Sequence, residues 1–452
     1  MRNKTPRAIC LDLLNRMEEA DRHPDDLLTD SFKRYRHLTP LDRSFLTELT
    51  YGTLRWRGKL DWIIRCFSSV PFEKIEISIL HALRIGLYQI LFMSRTPVSA
   101  AVNESVELAK KFRSQGGASF VNAILRSVIR QKEEMSYPSI DDDRALHIAV
   151  VQSHPLWLVQ RWVEEMGVEG TLKVCTGNNQ IAPLTLRANT LKISRDRLIE
   201  ALKEKGLEPF PTIYSKEGIV LRDPPPVSEL PSLKEGLYVI QDEASQLVTA
   251  ILDPKPGEKI LDACAAPGSK TIHMAQKMEN DGEIVALDLT TEKLRLIEEA
   301  CLRLNVKNVK VVKGDARRLL PLSKDLTFDR ILADVPCSGF GTLRRNPDLK
   351  WRKNEEDIRR LSAVQASILN NLSGYLKERG VLVYSTCTIF HEENEDVVEA
   401  FLKSHPEFAL DDLSQILPEK CRPLVKKGYF KMFPESEGMD GFFVARLLKR
   451  SE

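Results

Sequence analysis

The sequence predicts a multidomain fold with an all-α N-terminal part, a small α+β middle part and a C-terminal α/β part on a largely parallel sheet. Three observations predict it. A chain of 452 residues is longer than one ordinary hydrophobic core supports, so several domains are expected. From Ala8 to about Lys132 apolar residues recur at helical spacing. From about residue 254 short apolar runs alternate with helical stretches, the pattern of parallel strands covered on both faces.

In the first part, Ala82, Ile85, Tyr88, Gln89 and Phe92 share a helix face, and Val102, Val106, Ala109 and Phe112 share another. Gly116 and Gly117 break the pattern before Phe120 starts a further helix. The polar stretch from Glu133 to Asp143 contains a proline and reads as a linker, which sets a helical domain at residues 1–140. Residues 144–250 are mixed. Pro183 to Asn189, Gly218 to Arg222 and Gly236 to Gln241 read as strands, and Ser194 to Lys205 reads as a helix with a serine cap. Pro224, Pro225 and Pro226 force an extended stretch. Residues 251–452 hold strands at Lys259 to Ala263, Glu283 to Leu287, Val309 to Val312, Asp329 to Ala333 and Val381 to Ser385. Helices fill Thr271 to Met278, Glu292 to Leu304 and Glu355 to Lys377. Tyr429 to Phe433 and Phe442 to Leu448 lack a crossover helix and read as an antiparallel hairpin closing the sheet.

An apolar fraction of 42% and a charged fraction of 29% fit a water-soluble globular chain. Apolar runs such as Ile85 to Met93 are too short to span a bilayer, so no membrane partner is expected. The N-terminus shows no secretory apolar segment, so a cytoplasmic location is expected. The net charge of +2 comes from 66 basic and 64 acidic residues, and the placement of the charges matters more than their sum. The eight cysteines form no CxxC pair and no zinc-ligand spacing, so no metal is expected. Cys10, Cys66, Cys175, Cys301 and Cys421 read as buried small apolar residues.

In a doubly wound sheet, ligands bind beyond the carboxyl ends of the strands. The first strand of the α/β part runs into Cys264, Ala265, Ala266, Pro267, Gly268, Ser269 and Lys270. Small residues there allow close backbone approach to a ligand, and the following helix aims its first N–H groups at an anionic group. Asp288 ends the second strand, placed to accept two ribose hydroxyls, and Asp315 ends the third, where it can face an adenine ring. A nicotinamide enzyme would show GxGxxG after the first strand, and this chain does not. The fourth strand ends in Asp334, Val335, Pro336 and Cys337, and the fifth in Ser385, Thr386 and Cys387. Two thiols and a carboxylate therefore converge on the cofactor rim. A thiolate adding to C6 of cytosine makes C5 enamine-like and nucleophilic.

Asp334 to Cys337 and Ser385 to Cys387 resemble the paired motifs of RNA 5-methylcytosine methyltransferases. The resemblance implies a class I (Rossmann-like) methyltransferase fold and S-adenosyl-L-methionine as cofactor. It implies Cys387 as nucleophile, Cys337 as the cysteine assisting product release, and Asp334 as a catalytic partner. DNA cytosine methyltransferases use their Pro-Cys cysteine instead, so the paired motifs imply RNA and not DNA. The run from Asp262 to Thr271 resembles the family's cofactor loop, with Ser269 at a usual glycine. The resemblance carries cofactor contacts to Cys264, Ala265, Ala266, Pro267, Gly268, Ser269, Lys270, Asp288, Asp315 and Asp334. Arg187 to Asn189 and Gln241 to Gln246 resemble the family's middle domain, described as ferredoxin- or RNA-recognition-like.

In the helical part, Lys33, Arg34, Arg36, Arg43, Arg55, Arg57 and Lys59 cluster with Tyr35, Tyr51 and Trp56. Cations neutralise phosphates and aromatic rings stack on unpaired bases. A solvated helix surface explains such charges equally well. Leu41 to Arg55 and Phe120 to Arg126 resemble the helical fold of NusB. A NusB-like domain joined to this core is the layout of the small-subunit ribosomal RNA methyltransferase B family. It implies a cytosine of 16S rRNA as substrate; a tRNA or another rRNA site is the alternative. A monomer is expected.

Overall fold

The computed structural model describes residues 4–19, 22–111, 116–318, 320, 326–434 and 438–451. The chain divides into two compact units, one of residues 1–180 and 346–352, the other of residues 181–345 and 353–452.

The first unit is helical: α1 (Pro6–Glu19), α2 (Pro24–Arg34), α3 (Pro40–Arg55), α4 (Arg57–Phe67), α5 (Ile77–Phe92), α6 (Val98–Ala109), α7 (Gly117–Arg130), α8 (Arg144–Val151) and α9 (Leu156–Asn179). Helix α5 is buried from Ser78 to Gln89, as an apolar helix must be, and α1, α3, α6 and α7 pack around it. Its Arg84 is held by two hydrogen bonds to Asp61 of α4, at 2.6 and 2.8 Å. Gly52 makes room for the ring of Tyr88, which a methyl group there would overlap. Thr39 and Asp42 form a capping box that starts α3. Phe112, which the sequence pattern adds to α6, lies outside the described residues.

Residues 144–179, assigned by sequence pattern to the mixed part, fold as α8 and α9 and belong to this helical unit. They bury Ile148, Leu158, Trp162 and Val174, and Gly167, at φ 73°, interrupts α9. The stretch with linker composition is anchored as well. The Trp62 indole donates to Ser136 O at 3.4 Å, and the His147 ring lies 2.7 Å from Pro138 O.

The second unit opens with β1 (Leu184–Ala188), α10 (Arg195–Glu204), β2 (Glu208–Pro211), β3 (Gly218–Arg222) and β4 (Tyr238–Ile240). These strands form an antiparallel sheet in the order β2-β3-β1-β4. The Ser194 side chain caps α10 as expected. Strand β2 is not expected from sequence because it contains Pro209 and Pro211, which a strand tolerates only at an edge.

Helix α11 (Glu243–Leu252) leads to β5 (Lys259–Asp262), α12 (Ser269–Lys277), β6 (Glu283–Asp288), α13 (Thr291–Leu304), β7 (Val309–Lys313) and β8 (Phe328–Asp334). A short α14 (Leu349–Arg352) belongs to the helical unit, where the Trp351 indole donates to Leu54 O at 2.7 Å. Then follow α15 (Glu355–Ser373), β9 (Leu376–Thr386), α16 (Glu395–Ser404), β10 (Phe408–Leu410), β11 (Val425–Lys426), β12 (Tyr429–Met432) and β13 (Phe442–Lys449). The sheet order is β11-β12-β13-β9-β8-β5-β6-β7, with β10 on β13. Strands β7, β6, β5, β8 and β9 are parallel. The closing hairpin is antiparallel, β13 pairing with both β12 and β9. Along β5 and β8, Ile260 and Leu332 face one layer while Leu261 and Ile331 face the other, which accounts for their uninterrupted apolar sequence. Chain direction around the sheet reverses at β5, with β6 on one side and β8 on the other, so a ligand cleft is expected beyond those strand ends.

Candidate active site

Beyond the ends of β5, β6, β7, β8 and β9 lies a cleft of about 450 Å³, within the range of pockets that take small organic ligands. Its wall includes Cys264, Ala266, Asp288, Asp315, Asp334, Cys337 and Cys387. Residues up to 123 positions apart in the chain thus meet around one space, as the strand-end motifs predict. Ala265, Pro267, Gly268, Ser269 and Lys270 are not on that wall. Their part is to build the turn: Gly268 N–H donates to Ala265 O at 2.8 Å. Gly268 sits at φ 102°, where an added Cβ would come 3.2 Å from Ile297, so both its conformation and the packing favour glycine.

Asp288 is buried, and each of its carboxylate oxygens holds one backbone N–H, from Ala266 at 3.1 Å and Leu289 at 2.8 Å. A carboxylate oxygen has two lone pairs, so each retains capacity toward the cleft. Asp315 differs. Arg317 engages it through both carboxylate oxygens, and that hydrogen bonding pulls its carboxyl down to about 2. A ligand contact at Asp315 must share the carboxylate with Arg317. The Cys264 thiol is pushed up by desolvation and by Asp262, Asp334 and Asp288, so it is a neutral wall group and not a nucleophile.

Asp334 is tied on both oxygens, by Lys270 Nζ at 2.7 Å and by Ser385 Oγ at 2.7 Å. Burial works against the Lys270 ammonium, yet Asp334, Cys387 and Asp262 raise it overall, so the lysine stays a cation. Next to this pair the sulfurs of Cys337 and Cys387 are 3.2 Å apart. Cys337 Sγ also accepts the Cys387 N–H at 3.3 Å. Its hydrogen bond with Cys387, together with burial, pushes the Cys337 thiol well above its ordinary value. Cys337 is therefore held as a neutral S–H group.

Among the other cysteines, Cys10, Cys175 and Cys421 are buried as expected, whereas Cys66 is exposed and Cys301 half-buried. Four fully buried polar residues also stand around the cleft, and of these Glu393 and Asn394 carry no sequence signal. Arg187 of β1 is fully buried and donates to Ser269 O at 3.0 Å, and Asn189 just after β1 donates to Leu304 O at 2.9 Å, so this segment ties the start of α12 and the end of α13. Glu393 and Asn394 are fully buried behind the two cysteines. They fall in a polar run, His391 to Asp396, whose composition reads as solvated loop.

The seven cations of the helical unit separate. Lys33, Arg34 and Arg36 are exposed, Arg43 and Lys59 half-buried, and Arg55 buried. Arg57 faces Glu18 at 3.3 Å and Asp61 at 4.0 Å. Trp56 is no open stacking platform, since it stacks on Phe92 at 4.5 Å.

Comparison with known proteins accounts for both units. Residues 4–130 match the NusB family, 154–228 an RsmF/B-like ferredoxin-like domain, and 249–448 the 16S rRNA methyltransferase RsmB/F family. A probable ribosomal RNA small subunit methyltransferase B of Bacillus subtilis is 38% identical over all of both chains. The chain belongs to the RsmB/F family of 16S rRNA methyltransferases. The family's ribosomal RNA small subunit methyltransferase B of Serratia proteamaculans is 34% identical over 90% of this chain and 91% of that one. The crystal structure of PH0851 covers 98% of this chain and 99% of its own at TM-score 0.82 and 26% identity. NSun6 from Pyrococcus horikoshii, solved with SFG, covers 67% of this chain and all of its own at TM-score 0.59 and 26% identity. Family membership agrees with the NusB-like helical part, the ferredoxin-like middle and the methyltransferase fold expected from sequence. No helix among the described residues is long and apolar enough to cross a membrane.

Proposed function

We propose that this RsmB/F-family chain transfers a methyl group from S-adenosyl-L-methionine to C5 of a cytosine in 16S rRNA, through a covalent bond between Cys387 and C6 of the base. The observation that carries the reading is the pair of thiols 3.2 Å apart on neighbouring strand ends, beside the Lys270–Asp334 pair. Neither a DNA enzyme nor a small-molecule methyltransferase needs two cysteines there.

Support for the cofactor comes from the cleft and from the relative solved with SFG, an adenosylmethionine analogue. The turn from Cys264 to Lys270 would hold it, with Asp288 on the ribose hydroxyls, Asp315 toward the adenine and Asp334 near the reacting centre. When bound, S-adenosyl-L-methionine supplies an electrophilic methyl group. The Cys387 sulfur would bond to C6 as its proton passes to solvent, the ring electron pair moving to N3, which takes up a proton from solvent. Asp334 accepts a hydrogen bond from the exocyclic amine, which fixes the base edge, while Lys270 holds the carboxylate in place. The enamine then places C5 as the nucleophile for the methyl carbon. Loss of the C5 proton to solvent water, its bonding pair re-forming the C5–C6 double bond, would let the C6–S bond break with its electron pair returning to Cys387, and N3 would release its proton. The Cys337 S–H, held in its neutral form at that site, hydrogen-bonds to the departing sulfur. Lys33, Arg34 and Arg36 would hold RNA phosphates, and the methyltransferase part would begin near residue 250. Such a substrate is met in the cytoplasm.

Bisulfite sequencing of rRNA from a strain lacking the gene tests the reading. One protected 16S cytosine should lose protection and regain it on expression of the wild-type chain, but not of Cys387→Ala. Unchanged 16S protection with loss at a tRNA position would move the substrate to tRNA. Restoration by Cys387→Ala would remove Cys387 as the nucleophile.

A further inference from the structure

The cysteine pair has a support of its own that the strands do not provide. The β8–β9 ladder ends at the Asp334–Ser385 pairing, followed by a bond from Val335 N–H to Ser385 O at 3.1 Å. Beyond it one backbone bond, from Gly341 N–H to Cys387 O at 2.9 Å, still joins the two loops, and the remaining ties between them are made by side chains. Glu393 acts from the Cys337 side. Its carboxylate accepts the Ser338 N–H at 2.9 Å, the Ser338 hydroxyl, and the Gln365 amide at 2.9 Å. Ser338 Oγ lies 2.8 Å from Thr388 Oγ1, which extends the same carboxylate's hold to the residue after Cys387. Asn394 brackets Cys387 directly: it accepts the Thr386 hydroxyl and donates to Thr388 O at 3.1 Å. Tyr384, from β9, donates to the backbone carbonyl of Glu393 and fixes the turn that presents both residues.

Glu393 and Asn394 are both fully buried. Burial raises the Glu393 carboxyl, and what opposes it is hydrogen bonding from Ser338, Gln365 and Thr388, not a neighbouring cation. A buried carboxyl with no counter-ion among the described residues is an expensive way to gain stability, since packed apolar groups of similar size do that at less cost. What it provides is directional: several acceptor positions converging on two loops that are distant in sequence.

We infer that Glu393 and Asn394 are positioning residues that set the distance between the Cys337 and Cys387 sulfurs and thereby govern release of the methylated base. The role in release rests on the covalent reading above; the role in setting the distance does not. A displacement of about 1 Å at a reacting pair costs up to about 10²-fold in rate, so small loosening of the clasp is enough to be read.

The experiment has two arms on Glu393→Ala, Glu393→Gln and Asn394→Ala. In the first, the reduced protein is treated with diamide, which takes up the two thiol hydrogens as Cys337 and Cys387 join. Formation of the bond is followed by intact mass and mapped by digestion. Wild type should cross-link fastest, Glu393→Ala and Asn394→Ala at least about tenfold more slowly given the strict geometry of a disulfide, and Glu393→Gln in between because it keeps one acceptor. In the second, the variants are incubated with rRNA and S-adenosyl-L-methionine and run on a denaturing gel. Glu393→Ala and Asn394→Ala should accumulate the protein–RNA adduct while cofactor affinity by calorimetry stays within about twofold. If Glu393→Ala does not fold, Glu393→Gln and Asn394→Ala carry both arms. Wild-type cross-linking rates in folded variants overturn the inference, as does slow cross-linking that merely follows a loss of cofactor binding. If no variant, Cys337→Ala included, forms an adduct, the covalent reading fails and the cross-linking arm alone decides the clasp.

Discussion

The two units carry their charged and nucleophilic residues in different ways. In the sheet-bearing unit they stand at strand ends: Asp288 closing β6, Asp315 after β7, Asp334 closing β8 with Cys337 just beyond it, and Cys387 after β9. In the helical unit the cations are spread around α2, α3 and α4, and neighbours in sequence end in opposite surroundings. Arg34 is exposed, whereas Arg55 is buried and Arg57 faces two carboxylates. A parallel sheet gives each strand one carboxyl end and collects all of them on one rim. A helix turns about 100° per residue, so the face a side chain takes depends on packing that only the folded unit defines.

The largest effect that sharpens this contrast is expected at the strand ends. Cys337→Ala should leave attack by Cys387 intact but remove the S–H beside the departing sulfur. The mutant should accumulate a covalent RNA adduct, seen as a slow-migrating, protease-sensitive band on a denaturing gel. Normal turnover without such a band would reduce Cys337 to a wall residue and break the comparison at its strongest point.

In the helical unit the largest effect should be on stability and not on chemistry. Arg84→Ala leaves Asp61 facing a buried gap, and breaking a buried ion pair from one side costs about 3–5 kcal/mol. Denaturant unfolding should show a loss of that order, whereas Cys337→Ala should barely move the midpoint. A loss below about 1 kcal/mol would place this pair with exposed ion pairs and make the two units more alike than the geometry indicates.

How much is legible in the sequence follows the same division. The parallel strands, the closing hairpin, the turn before α12 and the cysteine pair are readable because uninterrupted apolar runs and the motifs at their ends are local in sequence. Strand β2 is hidden by Pro209 and Pro211, and α8 and α9 merge into a mixed segment because their apolar stripes are broken at Gly167. Glu393 and Asn394 leave no signal, since a buried polar residue and a solvated one look alike until the partners are known. The tie between Asp315 and Arg317 is likewise invisible: a carboxylate at a strand end indicates a site, not what already occupies its oxygens.

A smaller effect is expected at the cofactor end of the cleft. If Asp288 holds the ribose hydroxyls as proposed, Asp288→Ala removes that acceptor together with the one used by the Ala266 and Leu289 N–H groups. Cofactor binding should weaken by roughly 1–3 kcal/mol, the cost of leaving buried donors without a partner. RNA affinity, measured by filter binding, should stay within about twofold, because the residue lies on the cofactor side of the site. Equal losses in both affinities would show that the turn and the RNA surface are not separable.

The smallest effect tests which cations of the helical unit meet RNA. Burial and pairing remove Arg55 and Arg57 from the cluster defined by sequence, Arg43 and Lys59 are half-buried, and Lys33, Arg34 and Arg36 stand exposed around Tyr35 at the end of α2. Replacing these three by alanine costs little in folding, since surface substitutions shift stability by no more than about 0.5 kcal/mol. For every phosphate that is no longer neutralised, the slope of log affinity against log salt should fall by roughly 0.7–0.9. Arg57→Ala, made separately, should leave that slope near wild type while lowering stability, because its guanidinium is directed at Glu18 and Asp61. The two measurements together discriminate between a surface chosen by exposure and one chosen by sequence clustering. A wild-type slope in the triple variant would remove the end of α2 from the RNA surface. A reduced slope in Arg57→Ala alone would mean that the Glu18 and Asp61 pairing opens when RNA binds.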